Sequence, residues 1–301
     1  MDRFEAMRIF TRVVERRSFT IAADDLGVPR STVTDAVKTL EARLGVRLLE
    51  RTTRTVRPTL DGEAHYRRCL ALIADLEDAE GAFGGAKPKG LLRLEVQGTL
   101  ARHFVVPSLP EFFAEYPDIE ISMSETERWV DLIREGVDVV LRFGQLPDSD
   151  MIAREVVVLR RLTCAAPNYL ERHGTPVTPD ALEGHRMIGL RSLTTARVRP
   201  MEFVVGDDVR EITLPTTLSV TGTESFLATA LLGLGLVQIP HFHAEQELAR
   251  GTLVQVLAAW PPRPVPVSLL YPRNRQLSPR VRVFLDWAMR LFGRGQGTGP
   301  A

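Results

Sequence analysis

The sequence predicts an α/β protein with a winged helix-turn-helix unit at its N-terminal end and a two-lobed part behind it. Three observations carry this. Two short helical patterns meet at Gly27, within residues 18–44. A basic hairpin pattern follows at once, over residues 45–58. From Leu91 onward short apolar strands alternate with helical stretches, which implies parallel, doubly wound sheet. At 301 residues the chain is too long for one small core, and its composition is that of an ordinary globular protein.

The first helix covers residues 4–17, with Met7, Phe10 and Val14 as its inner stripe. The second covers about 20–26, with Thr20 as N-cap, and stops at Gly27, which takes positive φ where a helix must turn. Pro29 sits where the third helix opens, a place that tolerates a missing N–H. In that helix Val33, Val37, Leu40 and Leu44 share one face, and Ser31, Asp35, Lys38 and Ala42 the opposite one, with Thr32 and Thr34 on its flanks. A slim polar face suits a major groove about 12 Å wide. Alone, the pattern also fits a two-helix piece of a helical domain. The hairpin that follows argues for the DNA-reading form.

That hairpin consists of strands 48–51 and 55–58 around the turn Thr52-Thr53-Arg54, with four arginines and one glutamate over 45–58. Arginines at such a tip suit phosphates or a minor groove, the alternative being a solvated basic loop. Net charge sharpens the contrast. It is zero overall, yet residues 1–58 hold twelve Lys and Arg against eight Asp and Glu, a surplus of +4, so the rest carries −4. This excludes a uniformly basic nucleic-acid binder and points to an anionic partner at one end.

Thr59 caps a long helix to about residue 83, with Asp61 and Glu63 at its positive end. Tyr66, Cys69, Ile73, Leu76 and Phe83 follow a seven-residue repeat, which suggests dimerisation along this helix; packing on its own domain is the alternative. Gly84-Gly85-Ala86-Lys87-Pro88-Lys89-Gly90 is a hinge by composition.

Strands are expected at 91–96, 119–124 and 137–141, with helices at about 102–116 and 129–135 between them. Residues 156–164 read as one strand leaving the first lobe. Helices near 167–173 and 179–183 follow, then strands near 187–190, 202–205, 210–214 and 218–221. A helix at 225–232, strands at 235–239, 253–256 and 265–270, and a terminal helix at 278–292 complete the pattern. The proposed divisions are 1–58 for DNA binding, 59–89 for the linker helix and hinge, and 90–301 for two lobes. Lobe I takes about 90–162 and 267–293, lobe II about 163–266.

The chemistry is that of binding. There is no Gly-x-Ser-x-Gly elbow, no phosphate loop and no Cys-x-x-Cys. No histidine is placed by sequence to activate Ser225 beside Glu224. His241-x-His243 lacks further ligands at nearby spacing, so no metal site, no cofactor and no enzyme activity are expected. Cys69 and Cys164 fall in different domains and are expected buried and unpaired. No apolar run reaches the roughly 20 residues of a membrane span, and the N-terminus does not read as a signal peptide, so a cytoplasmic location is expected. Between two lobes a cleft is expected. Thr99 and Thr223 stand at strand-to-helix junctions, with Glu224 beside Thr223. Glu125 and Arg142 end strands, where open sheets bind ligands, and Phe203 offers an apolar wall. Each of these residues could instead cap a helix or pair with another.

The motif Ala22-Ala23-x-x-Leu26, Ser31-x-Val33-Thr34, Leu40-Glu41-x-x-Leu44-Gly45-x-x-Leu48-Leu49-x-Arg51 resembles the LysR-type transcriptional regulators. The likeness continues through Thr59-x-x-Gly62, Pro107-x-Leu109-Pro110-x-Phe112 and Gly233-x-Gly235-Leu236-x-x-Ile239-Pro240. It implies a dimerising linker helix and an effector domain similar to periplasmic binding proteins. Double-stranded, dyad-symmetric promoter DNA, a small-molecule effector, self-association as dimer or tetramer, and RNA polymerase are the partners it suggests. On the DNA side the residues are Arg30, Ser31, Thr32, Thr34 and Asp35 at base edges or beside them, with Lys38, Arg51 and Arg54 at phosphates or groove walls. On the effector side they are Thr99, Glu125, Arg142, Phe203, Thr223 and Glu224. Tyr66, Cys69, Ile73 and Leu76 are the dimerisation set.

Overall fold

The computed structural model describes residues 2–51, 56–81, 87–126, 136–144, 151–193, 195–273 and 277–294. Three helices open the chain: α1 Arg3–Arg16, α2 Phe19–Leu26 and α3 Arg30–Leu44. A two-stranded antiparallel hairpin follows, β1 Leu49–Arg51 and β2 Val56–Pro58, and then α4 Leu60–Gly81. Gly27 ends α2 at φ 65°, as expected. The cap of α2 is Ser18 and not Thr20: its hydroxyl accepts from Ile21 N at 3.3 Å, two residues earlier than the pattern suggested.

The core of this unit brings Ile9, Phe10 and Val13 of α1 against Ala22 and Ala23 of α2. Val33, Ala36, Val37 and Leu40 of α3 join them from below, with Leu48 and Leu49. The inner stripe of α1 is thus wider than expected, with Met7 and Val14 only partly buried at its edges. Three neighbours, α2, α3 and α4, surround α1, so it buries a broad arc. Leu44 departs from the expected face of α3: it is 41% exposed, on the last turn before Gly45.

The rest is built on several sheets. One has five strands in the order β4-β3-β5-β14-β6: β3 Gly90–Val96, β4 Ile119–Glu125, β5 Val139–Phe143, β6 Met151–Leu159 and β14 Val265–Pro272. β3 is parallel to β4 and β5, but β14 is antiparallel to β5 and β6, so the expected parallel sheet is mixed. The reason is topological. β14 arrives from the second sheet after a long excursion and enters from the opposite end. Phe112, Phe284, Trp287 and Phe292 pack this sheet against its helices.

The helix after β3 is not uniform. It starts as α5 Gly98–Leu100, widens into a π-helical turn Ala101–Val105 and continues as α6 Val106–Glu115. The helix expected at 129–135 lies outside the described residues.

The single strand expected over 156–164 is two strands. Its first part belongs to β6, and β7 Arg161–Ala165 belongs to a second, antiparallel sheet in the order β12-β7-β13. The strands beside β7 are β12 Val237–Pro240 and β13 Val254–Val256. The break at Arg160 is held by its carbonyl, which accepts from His241 N at 2.9 Å. Around this sheet lie α7 Pro167–His173, β8 Gly189–Leu190, β9 Met201–Val205, β10 Asp208–Ile212 and β11 Ser219–Val220. α8 Thr223–Leu231 and α9 His241–Arg250 complete this part. α9 was not expected. α10 Pro279–Arg294 closes the chain on the first sheet, with Ser278 Oγ accepting from Val281 N at 3.4 Å as its cap.

Candidate DNA-binding face and effector cleft

The underside of α3 is locked and its outer face is free. Val33 and Val37 are fully buried. Arg30, Ser31, Asp35 and Lys38 are exposed, and Thr32 and Thr34 are half-buried on the flanks. Among the described residues no hydrogen bond or ion pair engages the side chains of Arg30, Asp35 or Lys38. Thr34 is partly engaged: its hydroxyl donates to Arg30 O at 3.0 Å and keeps its lone pairs for an outside donor. Asp35 can accept from a cytosine amine in the same way. The side chains of Arg51 and Arg54, expected on the wing, lie outside what the structure describes.

The wing is held by a residue that composition did not flag. Glu41, on the inner flank of α3, accepts from Leu48 N at 2.9 Å and from Leu49 N at 3.0 Å. One carboxylate oxygen therefore ties the start of β1 to the recognition helix. From the other side Thr59 anchors the same segment: its N–H donates to Leu48 O at 3.0 Å and its hydroxyl to Arg47 O at 2.7 Å. The same hydroxyl accepts from Gly62 N at 2.9 Å, which confirms Thr59 as the cap of α4. Gly62 packs so tightly on the Leu48 carbonyl that a Cβ there would collide with it. The pattern Thr59-x-x-Gly62 thus fixes where α4 leaves the hairpin.

The dimerisation set splits. Cys69 is fully buried in the core of its own domain, and Tyr66 packs against that core, 3.4 Å from Glu15 through its hydroxyl. These two are corrected: they hold α4 on its own domain, because the first turns of α4 lie across α1. Farther out the helix offers Leu72, 50% exposed, and Leu76, 40% exposed, beside the half-buried Ile73. Burial pushes the Cys69 thiol up to about 11, with Arg43 opposing, and the Cys164 thiol up to about 12.

Between the two larger sheets lies a cavity of about 240 Å³. Thr99 and Thr223 both line it and hydrogen-bond to each other, their hydroxyl oxygens 2.7 Å apart, one from each lobe. Gln97 lines it and accepts from Phe143 N at 3.0 Å. Gln238 accepts from Glu202 N at 2.8 Å and donates to Thr163 Oγ1 at 3.1 Å. Arg161 pairs with Glu202 at 2.8 Å; burial lowers the Arg161 pKa while Glu202 opposes the shift. Arg191 and Arg199 also line the wall, and among the described residues neither guanidinium is paired. Ile188, Leu190 and Phe226 supply apolar surface.

Of the expected effector residues, then, Thr99 and Thr223 reach the cavity. The other four do not. Arg142 is 5% exposed within β5, opposite Ser268; strand alternation turns its neighbour Phe143 to the wall instead. Phe203 is fully buried in the second-lobe core, and its neighbour Glu202 reaches the cavity. Glu125 is exposed at the end of β4, against Gly98 and off the wall. Glu224 turns outward to Arg102 Nη1 at 2.6 Å and to His243 Nε2 at 3.2 Å. Burial lowers the pKa of His243 and of His103, with Glu224 pulling both the other way.

A helix with an exposed polar face, a basic hairpin beside it and a cleft between two lobes behind define a DNA-binding regulator with a ligand-sensing domain. Residues 4–63 match the family described as bacterial regulatory helix-turn-helix protein, lysR family, and residues 85–293 the LysR substrate binding domain. The chain belongs to the LysR family of transcriptional regulators, in which modulation by an effector is typical. It is 36% identical over 291 residues to the HTH-type transcriptional regulator YhjC of Escherichia coli K12, covering 95% of this chain and 97% of that one. It is 30% identical over 292 residues to the HTH-type transcriptional regulator CrgA of Neisseria meningitidis serogroup C, covering 96% and 97%. The solved structure of CrgA from Neisseria meningitidis superposes with a TM-score of 0.62 at 30% identity, covering 96% of this chain and 98% of that one. Among the described residues no helix is long and apolar enough to cross a membrane.

Proposed function

We propose that this regulator reads dyad-symmetric promoter DNA with the outer face of α3 and releases or reshapes its grip when a small molecule fills the cleft. The observation that carries the reading is the division of α3 into a locked apolar underside and a face whose Arg30, Asp35 and Lys38 are exposed and, among the described residues, uncommitted. Ser31, Thr32, Thr34 and Asp35 meet base edges, and Arg30 and Lys38 meet phosphates. Residues 1–58 bind DNA, 59–89 link and dimerise, and 90–301 hold the effector. Self-association uses the outer stripe of α4, with Ile73, Leu72 and Leu76 in place of Tyr66 and Cys69. RNA polymerase is a further partner, and the cytoplasm, where promoter DNA lies, is the site of action.

The cleft favours a small ligand with one acidic group on an apolar body, bound and released without turnover. Arg191 and Arg199, unpaired among the described residues, offer positive charge, while Glu202 and Glu211 on the same wall disfavour a multiply charged anion. Closure around this ligand changes dimer spacing only by its differential affinity for the two arrangements.

The test is a pair of variants on operator and on unrelated DNA across a salt series. Lys38→Ala is expected to weaken both similarly and to flatten the log K against log salt slope by about 0.9 for each phosphate that is no longer neutralised. Thr34→Ala is expected to weaken operator binding more than non-specific binding. Equal losses in Thr34→Ala and an unchanged slope in Lys38→Ala would contradict the assignment.

A further inference from the structure

A second polar cluster lies where the lobes meet, at the edge of the cleft, with one of its three residues on the cavity wall. His103 stands in the π-helical turn, Glu224 in the first turn of α8 and His243 in the first turn of α9. One donor atom from each lies within 4.8 Å of the other two. His243 is 4% exposed, and among the described residues the sole charged neighbour of its Nε2 is Glu224 Oε1, at 3.2 Å, with no partner in good hydrogen-bond geometry. A buried nitrogen left so calls for an explanation, such as an ion at the site.

We propose that His103, Glu224 and His243 form a divalent transition-metal site, suited to Zn²⁺, that ties the two lobes together. Two imidazoles and a carboxylate are the donor set of three-ligand zinc sites that keep a fourth position open. Bonds of about 2.1 Å in tetrahedral geometry place neighbouring donor atoms about 3.4 Å apart. The His243–Glu224 pair already stands at 3.2 Å. His103 is exposed and turns about its own side-chain bonds to close the remaining gap. Arg102 holds the second carboxylate oxygen of Glu224 at 2.6 Å, which steadies Oε1 toward His243 and acts as an outer-shell partner. π-Helical turns recur at functional sites, and here one carries the first-lobe ligand. His243 also lines the cavity, so the open position faces the cleft, where a water or the acidic group of a bound ligand completes the shell.

Sequence spacing hid this arrangement. The neighbour of His243 at ligand spacing, His241, is not among the three, and the other two ligands come from residues 103 and 224. Because one ligand follows β3 and two belong to the second lobe, metal occupancy biases how the two lobes are set against each other.

The test uses metal-free full-length protein with neither DNA nor effector, so its result stands apart from the effector reading. Zn²⁺ is titrated calorimetrically against a competing chelator, and Co²⁺ by its visible absorption. The expected result is one ion per chain with the absorption of four-coordinate Co²⁺. Affinity is expected to fall by about a hundredfold or more in His103→Ala and in Glu224→Gln, since even outer-shell losses reach 10–100-fold. His173→Ala, at a different histidine, is expected to bind as the parent does. His103 is exposed, so His103→Ala reports without disturbing the core, whereas His243→Ala alone would not. Absence of stoichiometric binding, or unchanged affinity in both His103→Ala and Glu224→Gln, overturns the proposal.

Discussion

Replacing Glu41 tests how the wing is held, because one carboxylate oxygen does the holding. It accepts from two backbone N–H groups, Leu48 at 2.9 Å and Leu49 at 3.0 Å. Both residues are buried, at 1% and 3% exposure, so water does not readily replace the lost acceptor. A hydrogen bond to a charged group contributes about 1.5–3 kcal/mol. Two would give about 3–6 kcal/mol, which the half-buried position of Glu41 and screening reduce to about 2–4 kcal/mol. At about 1.4 kcal/mol per tenfold, local opening of the hairpin should rise by roughly thirty- to seven-hundredfold in Glu41→Ala. Glu41→Gln keeps the acceptor oxygen without the charge and should give a smaller rise. Hydrogen exchange followed by mass spectrometry over peptides spanning 45–51 reads this directly, with α2 as an internal standard. Unchanged protection in Glu41→Ala would refute the reasoning. So would an equal loss over α2, which would mean the whole domain had loosened.

Two further outcomes are expected. His185 is 5% exposed and its pKa is lowered, first by burial and then by His173, so the unfolded chain binds a proton that the folded chain resists. Its contribution to stability is full above the ordinary value of 6.5 and is lost as pH falls below it, at up to about 1.4 kcal/mol per pH unit. Melting curves between pH 7.5 and 5.5 should therefore show a drop that His185→Gln lessens, and an equal drop in both would count against it. Cys69 and Cys164 are both fully buried with thiols pushed up to about 11 and about 12, so neither should react with a thiol reagent at pH 8 in the native chain. Both should react after denaturation, and native labelling of either would contradict the burial.

Much of the DNA-binding unit was legible because its signals are local. Gly27, the four-and-three spacing of α3, the basic hairpin and the Thr59 cap each depend on residues a turn apart. Ser18 displaced Thr20 as a cap because both are short hydroxyl residues and only the backbone decides which is extended, with Ser18 at φ −153°. Glu41 stood inside a motif, but its role requires knowing that the hairpin folds back beneath α3. In the lobes, strands were recognisable by their apolar runs, yet direction was not. The antiparallel β14 and the break at Arg160 follow from which sheet each strand joins, a long-range property. α9 escaped notice because its buried residues are His243 and Ala244, which make a poor apolar stripe. The cleft was the least legible part. Thr99 and Thr223 sit at helix starts, whose chemistry is local, while Arg161, Gln238 and Glu202 come from the first residues of three separate strands and acquire their role only through one another. Arg142 and Phe203 were misplaced by a single step of strand alternation.

The central claim is that the face beginning at Ser31 lies in DNA while the aliphatic underside holds it there. Affinity cleavage tests this most directly, with a redox-active iron chelate attached through Ser31→Cys on a chain whose two native thiols are buried. The expected result is cleavage confined to two clusters in the promoter, one helical turn of about 34–36 Å or a multiple of it apart. Protein that still binds the promoter but cuts it nowhere, or cuts without a two-fold pattern, would contradict the account.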